Sequence, residues 1–166
     1  LAVNGTAAIV EFPGVMYRGG AEQKIRKYLV DNNYVDAVIQ LPADLFFGTG
    51  IQTCILVLKK SKKENSTLFV DASALFTRSQ TKNRLTPEHI DQILQTLEDR
   101  SDTDYFSKLI DNQDVASNDY NLSVSSYVVA EDTREVIDIT QLNKDIEGIV
   151  ARQSELRKQI DAIVAD

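Results

Sequence analysis

Two short apolar runs and the loop between them place the strongest constraint on how this chain folds. Residues 35–41 and 51–58 are rich in β-branched side chains and too short to be buried helices, so each predicts a β-strand. Residues 42–50 connect them and contain one proline and two glycines, a composition typical of a loop. Because so short a loop cannot make the crossover that parallel neighbours require, we expect the two strands to be antiparallel.

The loop also carries two adjacent aromatic residues beside its glycines. Phe46 and Phe47 come directly before Gly48, and Gly50 follows two residues later. Glycine lets another molecule approach the backbone closely, so the aromatic rings are candidates for contact with a ligand. The alternative is that a ring folds back into the hydrophobic core, and we expect this for at least one of the two.

A strand and a helix are predicted before this loop unit. Residues 6–12 form a short apolar run, and residues 21–30 have the spacing of a helix. Because the helix has to cover the sheet, we expect the strands before and after it to form a parallel pair with a right-handed crossover. Residues 1–5 resemble the last turn of an earlier helix, which indicates a fragment. The predicted inward residues are Ala21, Ile25, Tyr28 and Leu29, and the outward ones are Glu22, Lys24, Arg26 and Lys27.

The Arg-Gly-Gly turn at residues 18–20 allows two interpretations. Free backbone N–H groups at a helix start can bind an anion, whereas two glycines also simply permit a turn. The segment matches neither a dinucleotide fingerprint nor a phosphate-binding loop. On the helix that follows, Lys24, Arg26 and Lys27 form either a solvated face or a set of phosphate contacts.

Charge is distributed unevenly along the chain. Residues 1–66 contain eight Lys and Arg against six Asp and Glu, residues 67–166 contain ten against nineteen, and the total is −7. A nucleic acid would therefore contact the first part, and the acidic total argues against a free-standing DNA-binding protein. The single cysteine, Cys54, lies inside an apolar strand, which predicts neither a disulfide nor a zinc site and fits a cytoplasmic protein. No apolar run is long enough to cross a membrane, so we expect no membrane partner.

The middle of the chain predicts a series of short elements. Residues 67–71 predict a strand, residues 73–82 a polar connection, and Thr86 the N-cap of a helix that continues to about residue 97. His89 lies in the first turn without a cysteine or second histidine nearby, so we interpret it as an exposed helix residue and not as a metal ligand or base. Residues 118–127 predict an extended segment that packs its tyrosines. The residues expected to be buried are Ile90, Ile93, Leu94 and Leu97, with Tyr105, Phe106, Leu109 and Ile110 as anchors.

The clearest periodicity lies near the end of the chain, where apolar residues alternate spacings of three and four. This is the pattern of a coiled-coil seam, and its one polar position, Gln153, favours a particular register. The charged remaining faces favour a partner on a different polypeptide or a second copy, and an internal partner stays open. The seam consists of Ile139, Leu142, Ile146, Ile149, Gln153, Leu156, Ile160 and Ile163.

The residues alone predict an α/β protein, part of a doubly wound sheet with an antiparallel last strand, followed by an assembly helix. The sequence holds no Ser/His/Asp set, no Cys/His pair and no metal-ligand spacing. Nothing in it therefore predicts a complete hydrolase or metal site.

Several segments carry a resemblance to a known family. Residues 6–29, 36–42 and 45–58 closely resemble the modification (M) subunit of type I restriction-modification systems. Residues 118–122 and Tyr127 resemble the segment that follows its catalytic domain. Nearly the whole chain takes part in this resemblance.

The resemblance implies a fold and a division into three parts. Residues 1–63 correspond to the carboxyl-terminal part of a Rossmann-like methyltransferase sheet with its antiparallel last strand. Residues 64–130 correspond to an α/β extension, and residues 131–166 to a carboxyl-terminal heptad helix for subunit assembly.

The resemblance also implies an activity and partners. The full-length subunit would transfer a methyl group from S-adenosylmethionine to the N6 amine of adenine in DNA, with a specificity (S) subunit reading the target and a restriction subunit joining the complex. The adenine is flipped out of the duplex and stacked on an aromatic residue, for which Phe46 is the matching position and Phe47 its neighbour. Candidate contacts to the DNA backbone are Arg18, Lys24, Lys27, Gly48, Thr49 and Gly50.

The sequence departs from the family's pattern in one respect. Neither the Asn-Pro-Pro-aromatic motif nor the glycine-rich cofactor motif occurs in it, since both lie upstream in the family. We therefore expect the chain alone to bind no cofactor and to methylate nothing, and its open sheet edge would permit a homodimer. A non-catalytic assembly module that docks partners through its last helix is the alternative.

Overall fold

The computed structural model of the chain describes residues 1–130 and 139–164, with side chains described as far as residue 161. The chain divides into two units, Leu1–Glu131 and Asp132–Asp166. The first unit contains, in chain order, β1 (Thr6–Glu11), α1 (Gly14–Tyr17), α2 (Ala21–Asp31), β2 (Val35–Gln40), β3 (Cys54–Lys59), β4 (Ser66–Asp71), β5 (Thr77–Ser79), β6 (Lys82–Arg84), α3 (Pro87–Asp99), β7 (Ser107–Asp111), α4 (Asn112–Ser117) and a 3-10 turn (Val124–Ser126). The second unit contains α5 (Ile139–Val164).

Five strands of the first unit form one mixed sheet in the order β1-β3-β2-β4-β7, so the α/β class is confirmed. β3 is antiparallel to both β1 and β2, as predicted for β2, while β4 is parallel to β2 and β7 is antiparallel to β4. The predicted parallel pairing of β1 with β2 is wrong, because β3 lies between these two strands although they run the same way. Residues 12–34 form a connection long enough to span the intervening strand, which begins at Cys54 and not at Ile51.

The core of this unit lies on both faces of the sheet. On one face, Val38 and Phe69 pack under α2, α4 and the segment around the 3-10 turn, whose Tyr127 ring lies 4.2 Å from the Phe69 ring between centroids. The predicted packing of a tyrosine from this segment is confirmed. On the other face, Leu68 and Val70 pack against Ile93 of α3. Helices therefore cover the sheet on both sides.

The predicted orientation of α2 is wrong at its central residues. Arg26 was predicted to face outward and is only 4% exposed, whereas Ile25 and Tyr28 were predicted to face inward and are exposed. The Arg26 guanidinium donates to two main-chain carbonyls, those of Val15 and Tyr120, both at 2.8 Å. These carbonyls come from distant parts of the chain, and they compensate the burial of a charged group that periodicity alone places in solvent.

α3 begins as the sequence predicts, but its inward face is narrower. The Thr86 hydroxyl accepts from the His89 backbone N–H, and His89 Nδ1 accepts from the Thr86 backbone N–H at 3.2 Å, so His89 is a half-buried capping residue. Ile93 is buried and Leu97 packs beside it, while Ile90 and Leu94 are exposed, contrary to the prediction. Within the described residues, no group of three or more His, Cys, Asp or Glu is placed to hold a metal ion.

Several elements were not predicted from the sequence. The polar connection at residues 73–82 contains most of a two-stranded hairpin formed by β5 and β6, and residues 107–117 form β7 and α4. The segment at residues 118–127 was predicted to be extended but contains the 3-10 turn. Residues 1–5 form a turn, closed by the Gly5 N–H on the Ala2 carbonyl at 2.9 Å, and not the end of a helix. No helix in the described part of the chain is long and apolar enough to span a membrane.

Candidate functional site

Three connections leave the five-stranded sheet at the same edge. The end of β1 is paired with the start of β3 through Glu11 and Cys54, and the ends of β2 and β4 are paired through Gln40 and Asp71. The segment after β1, the loop between β2 and β3, and the segment after β4 therefore emerge side by side. The base of the central loop is closed by the Leu41 N–H, which donates to the Thr53 carbonyl at 2.9 Å.

The central loop, residues 42–53, exposes both of its phenylalanines. Phe47 is fully exposed, and Phe46 is 38% exposed. The prediction that at least one of them folds into the core is wrong, because the preceding Leu45 packs against the core in their place. Gly48 has a φ of +80°, a conformation that side chains rarely adopt, and a Cβ added there would meet no atom within 4 Å. The tip of the loop is therefore open to an approaching molecule.

The β5–β6 hairpin holds this loop, and sequence reasoning missed it. Asn83 donates from Nδ2 to the Ala43 carbonyl at 2.8 Å and from its backbone N–H to the Asp44 carbonyl at 3.0 Å. Lys82 Nζ donates to the Thr49 carbonyl at 3.0 Å, and Arg78 Nη1 donates to the Asp44 carboxylate at 3.1 Å. The only local signal was a two-residue turn between polar triplets, which resembles an ordinary loop.

Of the three candidate phosphate contacts within the loop, one already has internal partners and a second lies beside a carboxylate. The Thr49 hydroxyl accepts from the Ile51 N–H at 3.2 Å, and the Thr49 carbonyl accepts from Lys82. A Cβ added at Gly50 would lie 3.1 Å from an oxygen of the Asp44 carboxylate, so negative charge adjoins this position. Gly48 is the member of the group that remains open.

The basic candidates outside the loop differ in their position. α2 starts at the edge where the loop emerges and runs away from it, because it connects the end of β1 to the start of β2. Arg18 precedes α2 and folds its guanidinium over Gly14, and Lys24 is exposed one turn into the helix. Lys27 lies about 9 Å along the axis from the start of α2. The structure therefore brings Arg18 and Lys24 to the loop's edge of the sheet, and Lys27 further from it.

Lys27 also has strong internal partners. Its ammonium group donates to the Tyr120 hydroxyl at 2.6 Å and to the Asp31 carboxylate at 2.9 Å. These hydrogen bonds, with that to Tyr120 the larger cause, raise the pKa of Lys27 to about 12. A phosphate group would have to compete with both partners for this ammonium.

The one cysteine of the chain lies beside this edge and is chemically protected. Cys54 is buried and free, and its Sγ lies 3.4 Å from the Glu11 carbonyl oxygen. Burial, followed by the charge of Glu11, raises the pKa of the thiol to about 11. The group is therefore protonated at neutral pH and is a poor nucleophile.

The predicted seam lies on α5, and none of its described members is buried. The apolar side chains from Ile139 to Ile160 are 44–71% exposed, and Gln153 is exposed as well. The side chain of Ile163 lies outside the described residues.

Comparisons of sequence give consistent similarities. A family model described as N-6 DNA methylase matches residues 1–136. The chain is 46% identical, over its whole length, to the type I restriction enzyme MpnII methylase subunit of Mycoplasma pneumoniae, and 34% identical, over 92% of its length, to the MjaVII methylase subunit of Methanocaldococcus jannaschii. It spans 31% and 27% of the length of these two relatives.

Solved structures give the same picture for the fold. The type I restriction-modification system methyltransferase subunit from Streptococcus thermophilus has a TM-score of 0.73 and 41% identity over 75% of this chain, which covers 26% of that protein. The M protein of the type I restriction enzyme EcoKI has a TM-score of 0.62 over 95% of this chain, which covers 41% of that protein. At 14% identity, this second likeness is one of fold alone.

Proposed function

Since the chain belongs to the N-6 DNA methylase family, we propose that it is the carboxyl-terminal part of the methyltransferase subunit of a type I restriction-modification system. The intact subunit transfers a methyl group from S-adenosylmethionine to the N6 amine of adenine in DNA. It works in the cytoplasm with a specificity subunit, which reads the target, and a restriction subunit. The observation that carries this proposal is the pair of exposed phenylalanines on a loop at one edge of the sheet.

We place the binding site for the methyl donor outside this chain. In the described residues no strand is followed by a glycine-rich turn of the kind that cradles a nucleotide cofactor. The turn after β1 begins with proline, and that after β2 has its glycines at the tip. The chain by itself is then inactive, and what its own residues contribute is contact with the flipped base and with the DNA backbone.

The contact with the flipped base is assigned to Phe46. The amine of adenine cannot be reached within a stacked duplex, so the base has to rotate out and needs a surface to stack on. A stacking surface works best when one face of the ring is supported and the other is free. Phe46 is 38% exposed, so the protein covers part of its surface and leaves part free, while Phe47 is fully exposed and is the second candidate. Arg18, Lys24 and the open backbone at Gly48 are the candidate contacts to DNA phosphates, and Lys27 is a weaker one.

The open edge of β1 supports the proposed division of the chain. Among the strands that the structure describes, β1 pairs with β3 alone, and its Ile9 and Val10 are exposed. We propose that residues 1–63 complete a Rossmann-like sheet whose earlier strands pair with β1, that residues 64–130 extend it and that residues 131–166 serve assembly. In the isolated chain, a second copy can pair with this unpaired side of β1 and so form a homodimer.

Methyl transfer by the intact subunit with its specificity subunit tests the role of the aromatic loop. Base stacking on an aromatic side chain contributes roughly 1–3 kcal/mol, so Phe46→Ala should lower kcat/KM by about tenfold to a hundredfold. Asp91→Asn, at an exposed position of α3, is the control and should keep the parent rate. Unchanged methylation by both Phe46→Ala and Phe47→Ala would discard the stacking role and leave the assembly module.

The exposed seam of α5 supports a second part of the proposal, docking of the specificity subunit. The double variant Ile146→Glu, Ile160→Glu places two charges in the seam and should abolish co-purification of the two subunits. The control is the double variant Lys144→Glu, Lys158→Glu, whose two substitutions are also two heptads apart but lie on the opposite face of the helix. It should leave the complex intact. Persistence of the complex in the seam variant would mean that the seam does not bind that subunit.

A further inference from the structure

We propose that the β5–β6 hairpin is the positioning element of the aromatic loop, with Asn83, Lys82 and Arg78 as positioning residues. These three residues, called the hairpin clamp below, fix the main chain on both sides of the loop tip before DNA arrives. The inference rests on the proposed stacking role of Phe46 and adds the residues that hold this ring in place.

Asn83 is the centre of the hairpin clamp. It is buried and uses both polar atoms of its side-chain amide: Nδ2 donates to the Ala43 carbonyl, and Oδ1 accepts from Arg78 Nη1 at 3.1 Å. Its backbone N–H donates to the Asp44 carbonyl. A single residue thereby binds two successive carbonyls of the loop, which lie three and two positions before Phe46.

The other clamp residues fix the remaining parts of the loop. Lys82 binds the Thr49 carbonyl on the far side of the tip, and Arg78 binds the carboxylate of Asp44. Asp44 has a φ of +54°, in the left-handed region that residues with a side chain seldom adopt. The clamp binds this residue at both its carbonyl and its carboxylate, and so stabilises a conformation that the loop would otherwise lose.

The hairpin's contacts are directed to the loop and not to the core. Of its six strand residues only Asn83 is buried, and the hairpin forms a two-stranded sheet separate from the main one. In the described structure, every hydrogen bond that its side chains make to another element ends on the loop, at Ala43, Asp44 or Thr49. A hairpin that buries no apolar residue of its own adds little to the core, so its contribution is the geometry of the loop.

A pre-formed loop has a definite kinetic consequence. A stacking ring that is already in place does not have to be ordered when the base flips. The free energy of ordering the loop therefore does not add to the activation barrier. Loss of the clamp should therefore lower kcat, while KM for DNA stays near the parent value because the proposed side-chain contacts to phosphate, Arg18 and Lys24, lie outside the loop and keep their positions. A merely structural role of the hairpin would not separate the two constants in this way.

The experiment uses the intact subunit with its specificity subunit and a duplex carrying 2-aminopurine at the target adenine. The variants are Asn83→Ala and Lys82→Met, with Lys82→Arg as the conservative variant. The control is Arg84→Ala, because Arg84 is exposed on the same strand and its side chain shows no hydrogen bond or ion pair within the described residues. Amide hydrogen exchange of residues 43–50 is measured without DNA, and base flipping is measured by 2-aminopurine fluorescence. The steady-state constants are measured on a matched duplex with adenine at the target, because 2-aminopurine has no N6 amine to accept the methyl group.

In the clamp variants Asn83→Ala and Lys82→Met, the loop amides should exchange about tenfold faster, and the rise of 2-aminopurine fluorescence on base flipping should be lost. Their kcat should be lower by about tenfold to a hundredfold, with KM within about twofold of the parent value. Lys82→Arg and Arg84→Ala should match the parent. Unchanged exchange and fluorescence in Lys82→Met, whose half-exposed position tolerates substitution, would overturn the clamp even if Asn83→Ala failed to fold. If Phe46→Ala and Phe47→Ala also keep the parent rate, the stacking proposal itself fails. An impaired Phe46→Ala beside normal clamp variants overturns the clamp alone.

Discussion

The two units of the chain differ in how far their apolar side chains are buried. In Leu1–Glu131 the sheet residues Val38, Leu68 and Phe69 are fully buried beneath helices on both faces. In α5 the described apolar residues of the seam, Ile139 to Ile160, are 44–71% exposed. Burial of an apolar side chain contributes roughly 1.5–3 kcal/mol, and most helices in proteins depend on such packing. The central strands of the first unit thus bury their apolar side chains within the unit, whereas we expect the seam of α5 to be stabilised by a partner.

The largest effect expected from this difference is at Phe69. Phe69→Ala removes a buried ring packed on Tyr127 and should lower the free energy of unfolding by about 3–5 kcal/mol. Ile146→Glu in α5 should change it by less than about 0.5 kcal/mol, because no described neighbour buries that side chain. Urea denaturation of both variants measures the contrast. Similar losses for the two would show that the seam is already packed within the chain.

A buried charged residue should give the next largest effect. Arg26→Met removes the donor to the Val15 and Tyr120 carbonyls and should cost about 3 kcal/mol of unfolding free energy. Lys24→Met, at an exposed position two residues earlier, should cost less than about 0.5 kcal/mol. Equal urea midpoints for the two variants would mean that the guanidinium does not hold α2 against these segments.

A glycine in the middle of α5 tests the other unit. Gly148 lies within α5, and a Cβ added there would meet no atom within 4 Å, so Gly148→Ala is free of steric conflict. It should stabilise the helix by about 1 kcal/mol and increase helical circular dichroism, without moving the urea midpoint of the first unit. A shift of that midpoint would show that the stabilities of the two units are coupled. Unchanged helicity would mean that α5 is already fully formed.

The two units should also differ in the pH dependence of their stability, since Cys54 lies in the first unit and α5 has no cysteine. The pKa of the Cys54 thiol is raised from 9.0 to about 11 in the folded chain. The thiol therefore contributes stability that is complete below pH 9 and is lost as the pH rises towards 11. The difference in unfolding free energy between the parent and Cys54→Ala should decrease over this interval. Parallel curves would show that the folded thiol titrates normally.

The features predicted correctly are those encoded by neighbouring residues. The β2–loop–β3 unit follows from apolar runs and glycines within residues 35–58, and the start of α3 follows from Thr86 and the proline after it. The position of β3 between β1 and β2 could not be predicted in this way, because it depends on pairing between strands more than forty residues apart.

The errors arise where distant residues decide the outcome. Arg26 is buried because carbonyls 11 and 94 residues away accept its hydrogen bonds, which no periodicity reveals. The aromatic loop was found from its sequence, but the hairpin clamp was not, since its partners lie 33–40 residues earlier and its own residues are polar. Local patterns thus identified the loop that carries the candidate site and missed the residues that support it.

The most direct test of the account compares leucine and tyrosine at position 46 in the intact subunit. Leucine keeps an apolar side chain but offers no ring face, whereas tyrosine keeps the ring, so only the second retains stacking with the flipped adenine. The measurement is the single-turnover rate of methyl transfer to target DNA. We expect Phe46→Tyr to stay within about twofold of the parent and Phe46→Leu to be slower by at least about tenfold. Equal rates for leucine and tyrosine would contradict the account.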